Sequence, residues 1–358
     1  MRSAPLWLNF GVLDIPKTMR AVVYRGVNDL RVETVPVPRI GTNELLVKVA
    51  VCGVCPTDIK KIQYGTVPPP RIFGHETAGT IVLVGPRVSG FKTGDRVALH
   101  HHVPCLKCHY CRHRAFAQCE TYKRTGITSG FEPAGGGYAE YVRVMDFVLP
   151  GVVKIPARNS FEEGAMLEPV NTVLKAVKRL NMLRGDVVLV AGQGPIGLMF
   201  TRLLKLQGVK VIATDLIEPR LRLAKKFGAH WAVLANKLTA TALPRLDAAV
   251  IAVPSDAAVK QALQLVRGAG QVLLFAHTKR GALSEIDLAS VCLDEKDLIG
   301  SYSSDFTLQN EVARLVFSRK MDVRGLITHH FPLPETAEAI RLAANPKPDS
   351  LKIIVCSS

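Results

Sequence analysis

Residues 187–200 read VVLVAGQGPIGLMF, and this stretch decides the fold of about half the chain. An apolar run typical of a buried strand leads into GQGPIG and then into LMFTRLLKLQG, which has the composition of a helix. A G-x-G-x-x-G turn between a strand and a helix is typical of a dinucleotide-binding loop. Gly192 permits the tight turn, Gly194 lets the backbone approach a pyrophosphate, and Gly197 lets the helix pack against the strand. The exposed amides at the helix start would then hold the phosphates.

A second apolar strand, KVIATD, ends at Asp215, about 20 residues beyond the glycine motif. An acidic residue at this place hydrogen-bonds the adenosine ribose, and its charge repels a 2′-phosphate. The sequence therefore predicts NAD as the cofactor in preference to NADP. Arg220 and Arg222 follow closely, and because an arginine can accommodate a 2′-phosphate they leave room for NADP.

Strands and helices continue to alternate after residue 215, which predicts a doubly wound parallel sheet. The helix EPRLRLAKKFGAH is followed by the strands LDAAVIAV and QVLLFA, with a predicted helix over residues 257–270 between them. We place this Rossmann nucleotide-binding domain at residues 175–309, ending with the strand LIGSY.

The remaining chain has a different composition. Residues 19–174 are rich in short apolar runs separated by Gly and Pro, which predicts a mainly β catalytic domain. Residues 310–358 are expected to return to that domain, and residues 1–18 to form an N-terminal extension. The fold class is therefore α/β with two domains.

Four of the eight cysteines lie in CLKCHYCRHRAFAQC, residues 105–119. Closely spaced thiolates can surround one zinc ion in a closed tetrahedral site that shapes a loop and performs no chemistry. Free thiols, a redox pair, an iron–sulfur cluster and a nucleic-acid-binding zinc ribbon are the alternatives. The spacing favours structural zinc, with the ligands Cys105, Cys108, Cys111 and Cys119.

A second set of metal-ligand types lies upstream, in CGVCPTD (residues 52–58) and GHE (residues 74–76). Glu168, in MLEPVNT, is a carboxylate among apolar residues, a costly placement unless it is paired or binds metal. Cysteine, histidine and carboxylate ligands with one open position are typical of catalytic zinc. The motif alone allows either Cys52 or Cys55 to be the thiolate ligand.

Composition narrows the class of protein. No apolar run in the 358 residues reaches the ~18 residues of a membrane span, and the first residues make a poor signal peptide. We therefore expect a cytoplasmic protein with reduced thiols and no membrane partner. The 46 basic and 30 acidic residues give a net charge of +16, which could attract an anionic substrate such as a sugar phosphate. Aromatic residues make up only 6%, so stacking on nucleic acid is not expected.

Taken together, these motifs resemble the zinc-dependent medium-chain dehydrogenases, the superfamily of alcohol, sorbitol and threonine dehydrogenases. The resemblance covers nearly the whole chain from Met19 and is closest to the polyol and threonine branch, because EP accompanies GGGYAEYV. It implies a GroES-like catalytic domain joined to the Rossmann domain. The motifs that carry it, in order, are CGVCPTD, GHETAG, GDRV, the four-cysteine loop, GGGYAEY, LEP, GQGPIG, Asp215 and LKIIV.

The resemblance also implies roles for individual residues. Cys55 becomes the thiolate ligand because it stands two residues before Thr57, which would pass on the substrate proton; Cys52 is then a bystander. Lys60 occupies the position where many members have a proton-relay histidine. The implied catalytic-zinc ligands are Cys55, His75, Glu168 and Glu76, with Glu76 binding directly or supporting the metal. The implied cofactor-binding residues are Thr172, Gly192, Gly194, Pro195, Ile196, Gly197, Asp215 and Arg220.

By this resemblance the protein is an enzyme with NAD and two zinc ions per chain. It would oxidise a secondary hydroxyl of a polyol, sugar or amino alcohol to a ketone, and run the reverse reaction. A simple primary or secondary alcohol dehydrogenase and a sugar-phosphate dehydrogenase are the alternatives. A non-catalytic relative would not need to retain the complete set of site residues. We also expect a homodimer or homotetramer joined through the exposed edge strand LIGSY.

Overall fold

The computed structural model of the protein describes residues 15–100, 103–121, 135–238, 244–276 and 281–357. Residues 1–14 of the predicted N-terminal extension lie outside these ranges, and the first strand begins at Thr18. None of the helices in the described part of the chain is long and apolar enough to cross a membrane.

The nucleotide-binding half is built on a six-stranded sheet in which every neighbouring pair is parallel. The spatial order is β11-β10-β9-β12-β13-β14, so the chain starts in the middle, winds to one edge and then to the other. This is the Rossmann order, and the predicted doubly wound fold is confirmed. The strands are β9 (Val187–Ala191), β10 (Lys210–Asp215), β11 (Trp231–Leu234), β12 (Leu246–Ile251), β13 (Val266–Leu274) and β14 (Asp297–Gly300).

Helices cover both faces of this sheet because each presents an apolar stripe. In the helix after the glycine loop, Leu198, Phe200 and Leu203 pack against Val188 and Val190 of β9 in the largest hydrophobic core. The parallel strands are buried on both sides, which explains their continuous apolar runs. The helices of this half are α5 (Pro195–Leu206), α6 (Glu218–Phe227), α7 (Asp256–Leu265) and α8 (Leu288–Leu293).

The predicted helix over residues 257–270 is too long at its C-terminus. The helix ends at Leu265, and Val266 begins β13, which pairs with β12 through Leu246 and then from Ala248 onward. Gly268 and Gly270 are poor helix formers, and Ala269 has a positive φ of 54°. Pairing with a central strand therefore outweighs the helical pattern of this segment.

The GroES-like half contains a seven-stranded sheet, with the path β15-β16-β3-β5-β6-β8 and β7 paired with β3, and a small sheet β2-β1-β4. Its strands are β1 (Thr18–Gly26), β2 (Asp29–Pro36), β3 (Leu45–Gly53), β4 (Arg71–Ile72), β5 (Glu76–Val84), β6 (Arg96–Leu99), β7 (Tyr141–Val144), β8 (Val153–Lys154), β15 (Ile327–Pro332) and β16 (Lys352–Cys356). The last two strands come from the C-terminal segment, and β16 pairs directly with β3. The end of the chain therefore reaches the sheet that carries the metal-ligand motifs.

Six α-helices complete the part of the chain that the structure describes. They are α1 (Pro56–Tyr64), α2 (His109–Arg112), α3 (Phe161–Ala165), α4 (Leu167–Val177), α9 (Gln309–Phe317) and α10 (Thr336–Ala344). Helix α4 lies between the two halves, since Val170, Val173 and Leu174 belong to the same core as β9 and α5. A residue of α4 can therefore face both the catalytic sheet and the nucleotide-binding domain.

Candidate functional site

Three predicted metal ligands converge where β3 and β5 lie side by side. The ligand atoms of Cys55, His75 and Glu76 all lie within 4.8 Å of one another. Glu76 is the first residue of β5 and is the antiparallel partner of Gly53, the last residue of β3, so the pairing brings the two motifs together. A thiolate, an imidazole and a carboxylate at this spacing form a donor set that fits zinc.

The two cysteines of CGVCPTD have different surroundings. Cys55 is the N-cap of α1, where its sulfur accepts a hydrogen bond from the Thr57 amide at 3.4 Å. Cys52 is fully buried in β3, accepts a hydrogen bond from the Thr77 hydroxyl at 3.5 Å, and lies outside the three-ligand group. Burial raises the pKa of the Cys52 thiol to about 12. The structure thus brings Cys55, and not Cys52, to the candidate metal centre.

Asp58 orients the histidine of this group. Its Oδ1 lies 3.2 Å from Nδ1 of His75, and both side chains are buried. Burial opposes a charge on the imidazole, but Asp58 and Cys55 outweigh that effect and raise the pKa of His75 well above its usual range. A carboxylate on one ring nitrogen fixes the ring and directs the other nitrogen to a metal. Tyr138 donates to the other oxygen of Asp58 at 3.5 Å.

Lys352 forms a buried ion pair with Glu76 and also donates to the carbonyl of Val54 at 2.9 Å. Burial alone would lower the pKa of Lys352, but Glu76 raises it. A Cβ on Gly53 would lie 2.0 Å from the Glu76 carboxylate, so only glycine leaves room for the pair. Sequence reasoning missed Lys352, although a lysine at the start of the apolar strand LKIIV was a usable signal.

Glu168 approaches the same pocket from α4 but lies outside the group of three. It is buried, and its Oε1 accepts a hydrogen bond from the Thr172 hydroxyl at 3.3 Å. Burial raises the pKa of Glu168 to about 7, with Glu76 acting in the same direction and His75 opposing it. Because the charges of Glu76 and His75 act on Glu168, its carboxyl lies near these two residues. It is available as a further ligand or as a protonated carboxyl facing the substrate.

The charges of the metal-ligand residues also act on two more side chains, Lys60 and Tyr302, the latter 45% exposed. Burial lowers the pKa of Lys60 on α1, and the nearby Cys55 opposes that change. Burial raises the pKa of Tyr302, on which the charges of His75, Cys55 and Glu168 also act. Tyr302 was missed because nothing in the local sequence connects residue 302 with the metal-ligand motifs.

The four-cysteine segment forms a second closed group, which we call the four-cysteine lobe (Cys105, Cys108, Cys111 and Cys119 with α2). All four sulfurs lie within 4.8 Å of one another, with Cys108 and Cys111 3.4 Å apart. The Cys105 amide donates to the Cys119 sulfur at 3.4 Å, and backbone hydrogen bonds, first from Lys107, lower the pKa of Cys105 to about 6. Burial raises the pKa of Cys111 to about 12, with Cys108 and Cys119 acting in the same direction. The close spacing of the four sulfurs fits a tetrahedral zinc ion.

The glycine loop has the geometry of a phosphate site. Gly192 has a positive φ of 91°, and a Cβ on Gly197 would lie 1.7 Å from the Gly192 carbonyl, so both positions require glycine. Gly194 is the N-cap of α5, Pro195 is its first residue, and a Cβ on Gly194 would meet open space. The exposed helix start leaves room for a pyrophosphate.

The other predicted cofactor residues occupy more than one environment. Asp215 ends β10, and its carboxylate accepts from the Gln193 amide at 2.6 Å and from the Ile217 amide at 2.9 Å. It therefore fixes the glycine loop. Arg220 donates to the Ser350 carbonyl at 3.4 Å, and Ile196 packs against the core under the loop.

Comparison with known proteins agrees with this geometry. Residues 41–157 match the alcohol dehydrogenase GroES-like domain, and residues 195–318 match the zinc-binding dehydrogenase domain. The sorbitol dehydrogenase of Bombyx mori is 32% identical over 339 residues, covering 90% of this chain and 94% of the relative.

Two solved structures have the same fold. A putative zinc-binding dehydrogenase from Sinorhizobium meliloti 1021, bound to NADP, is 27% identical with a TM-score of 0.86, and covers 96% of this chain and 100% of its own. A short chain alcohol dehydrogenase from E. coli CFT073, complexed with NADH, is 26% identical with a TM-score of 0.86 and the same coverage. The chain belongs to the zinc-dependent medium-chain dehydrogenase/reductase family, in its polyol dehydrogenase branch.

Proposed function

We propose that the protein oxidises a secondary hydroxyl of a polyol, sugar or amino alcohol to a ketone, with NAD as acceptor, and catalyses the reverse reduction. The observation that carries this proposal is the convergence of Cys55, His75 and Glu76 within 4.8 Å. Glu168 completes the carboxylate side of the pocket. The family relation to sorbitol dehydrogenases supports the polyol class.

The side chains of the pocket have different roles. Cys55 and His75 would hold a zinc ion, together with Glu76 or Glu168. When bound, zinc supplies a Lewis acid that lowers the pKa of an alcohol hydroxyl, and NAD supplies the hydride acceptor. Asp58 keeps the His75 ring in its orientation, and Lys352 holds the Glu76 carboxylate against β3.

Thr57 and Lys60 provide a route for the substrate proton. Thr57 follows the Cys55 N-cap by two residues, and its backbone amide donates to the Cys55 sulfur at 3.4 Å, so the two residues lie side by side. Lys60 lies one turn further along α1, where burial lowers its pKa. A lysine with a lowered pKa loses its proton more easily, and the uncharged amine can then accept the substrate proton. We therefore propose that Lys60 takes the role that a histidine has in many relatives.

Asp215 supports NAD in preference to NADP. The carboxylate is fixed by two backbone amides, so it cannot turn away from an added 2′-phosphate without breaking both hydrogen bonds. We propose two zinc ions per chain, one in the pocket and one in the four-cysteine lobe. In each group, all of the ligand atoms lie within 4.8 Å of one another.

One observation favours a second substrate class. The chain has a net charge of +16, which could attract a substrate that carries a phosphate. A sugar-phosphate dehydrogenase is therefore the second candidate. A simple alcohol dehydrogenase would use the same ligands but would gain nothing from this charge.

The test is the initial rate of NADH formation by the zinc-loaded protein with sorbitol, xylitol, 2,3-butanediol, threonine, ethanol and sorbitol 6-phosphate. We expect kcat/KM to be highest for an uncharged secondary alcohol among these. A clear preference for the phosphate would establish the second candidate, and turnover of ethanol alone would overturn both. The Cys55→Ala variant is the blank, and zinc analysis is expected to give two ions per chain.

We also infer a homodimer, or a dimer of such dimers, joined at β14. This strand is at the edge of the nucleotide-binding sheet, and Leu298 on it is 37% exposed. Leu288 and Leu293 on the adjacent α8 are 72% and 82% exposed, so the edge is apolar as well as open to pairing. Light scattering should give at least twice the chain mass, and Leu298→Lys should shift the protein toward a monomer.

A further inference from the structure

Residues 301–308, which we call the strap, connect the last strand of the nucleotide-binding sheet to α9. The strap leaves β14 after Gly300 and enters α9 at Gln309. Tyr302 on the strap is 45% exposed, while Ser303 and Ser304 are buried. The strap therefore passes from the surface into the interior of the fold.

One side of the strap is fixed to α4. Asn171 is fully buried; its amide nitrogen donates to the Asp305 carbonyl at 3.0 Å, and its oxygen accepts from the Asp305 amide at 2.8 Å. One turn further along the helix, Lys175 donates to the Tyr302 carbonyl at 2.8 Å. Because side chains three and four residues apart share a helix face, the groups that hold the strap adjoin Glu168 and Thr172.

The other side of the strap touches the four-cysteine lobe. The rings of Phe306 and Phe116 meet edge to face, with centroids 5.3 Å apart and planes inclined at 70°. Phe116 in turn packs against the buried Cys111 and Cys119. A Phe pair of this geometry adds specific attraction beyond the area that it buries. The lobe and the catalytic helix therefore hold the same short segment from opposite sides.

We propose that the four-cysteine lobe positions the strap through the Phe116–Phe306 contact, and with it the tyrosine and α4 groups beside the catalytic pocket. Phe116, Phe306 and Asn171 are then positioning residues. The lobe has a role in substrate binding, in addition to shaping its own loop. This inference concerns the same pocket as the proposed function. It depends on that function only in the experiments that measure activity.

The first test is hydrogen–deuterium exchange of peptides that cover residues 301–308, followed by mass spectrometry. The Asp305 amide is protected from exchange by its hydrogen bond to Asn171. Asn171→Ala removes this bond and therefore gives the reference exchange rate of a strap that is no longer held by α4. In Phe116→Ala we expect exchange of these peptides to be about three- to ten-fold faster, the range that corresponds to loss of one aromatic pair. Phe331→Ala is the matched control, because Phe331 is a half-buried ring that packs against a different core, in which no residue of the strap takes part.

Exchange in Phe116→Ala that equals that of Phe331→Ala would overturn the proposal. Should Phe116→Ala lose zinc from the lobe, Phe116→Leu removes the ring pair but keeps an apolar side chain against Cys111 and Cys119, and it is judged by the same criterion. This readout needs no substrate, so it decides the proposal even if no alcohol in the panel is oxidised.

The second test is steady-state kinetics with the best alcohol. We expect KM for the alcohol to rise several-fold in Phe116→Ala and in Phe306→Ala, and the double variant to be little worse than either single variant. The Kd of NADH should stay near the wild-type value. Additive losses in the double variant would show that the two rings act separately and would contradict the proposed coupling.

Discussion

Lys352 and Glu76 form a buried ion pair although 276 residues separate them in the chain. The pair joins the C-terminal strand to the strand that carries a predicted zinc ligand. Its existence explains why an ionised carboxylate can be kept away from water beside the catalytic pocket, because each charge compensates the other.

Removal of the lysine should be costly. In Lys352→Met the Glu76 carboxylate and the Val54 carbonyl lose their partner in a buried place, so we expect the free energy of unfolding of the zinc-free protein to fall by about 3–5 kcal/mol. Denaturant unfolding measures the change. The control is Lys178→Met, which breaks an exposed ion pair with Glu311 and should cost no more than about 1 kcal/mol. Equal effects of the two variants would contradict the importance of the buried pair.

The two cysteines of CGVCPTD should respond differently to the same substitution. Cys55→Ala removes a ligand of the pocket, and we expect no hydride transfer and loss of one zinc per chain, with the lobe zinc retained. Cys52→Ala should keep turnover within a few-fold and cost about 1–2 kcal/mol of stability, as for a modest packing defect. Zinc analysis and NADH formation check both. An inactive Cys52→Ala together with an active Cys55→Ala would show that the ligand assignment and the role of Thr57 are both wrong.

The zinc site of the four-cysteine lobe can be tested separately from the catalytic pocket. Cys108→Ser weakens a closed site, so the variant should lose one zinc per chain and melt at a lower temperature. Some activity should survive in the folded fraction, because the catalytic ligands are untouched. Metal analysis combined with thermal unfolding makes the measurement. Loss of both zinc ions with an unchanged melting temperature is the outcome that this assignment does not allow.

His100 should make stability fall in mild acid. It is fully buried, and burial lowers its pKa to about 4 from an ordinary value of 6.5. Between pH 4 and pH 6.5, His100 therefore binds a proton in the unfolded chain but not in the folded chain. The stability is present above pH 6.5 and is lost as the pH falls toward 4, by about 3 kcal/mol in total. Denaturant unfolding as a function of pH should show a flatter profile for His100→Gln than for the wild-type protein.

Asp215 sets the expected cofactor preference. The wild-type protein should turn over faster with NAD than with NADP, because the carboxylate repels a 2′-phosphate. Asp215→Asn removes the charge and keeps one of the two accepting oxygens, so it should narrow the NAD to NADP ratio of kcat/KM and loosen the loop by the loss of one hydrogen bond. Asp215→Ala should narrow the ratio and also weaken both cofactors. Faster wild-type turnover with NADP would refute the preference.

The sequence by itself determined the parts that depend on local spacing. The glycine motif between a strand and a helix predicted the Rossmann domain, because the turn, the phosphate approach and the helix packing each need glycine at a fixed offset. The four-cysteine spacing predicted a closed group, and the structure brings its four sulfurs together. The order of motifs indicated the family. These features lie within one loop or one strand–turn–helix unit, where the covalent chain already fixes the distances.

Only the tertiary structure decided the contacts between distant segments. It brought Lys352 to Glu76, joined Lys175 to the Tyr302 carbonyl, and left Glu168 outside the group of three ligands. It also ended a predicted helix early, because Val266 pairs with Leu246 of β12 and residues 267–270 form an irregularity before the pairing resumes at Gln271. The physical reason is common to all four. A side chain's neighbours across the fold depend on sheet order, register and helix docking, and these are set by burial of the whole core and not by the spacing of residues along the chain.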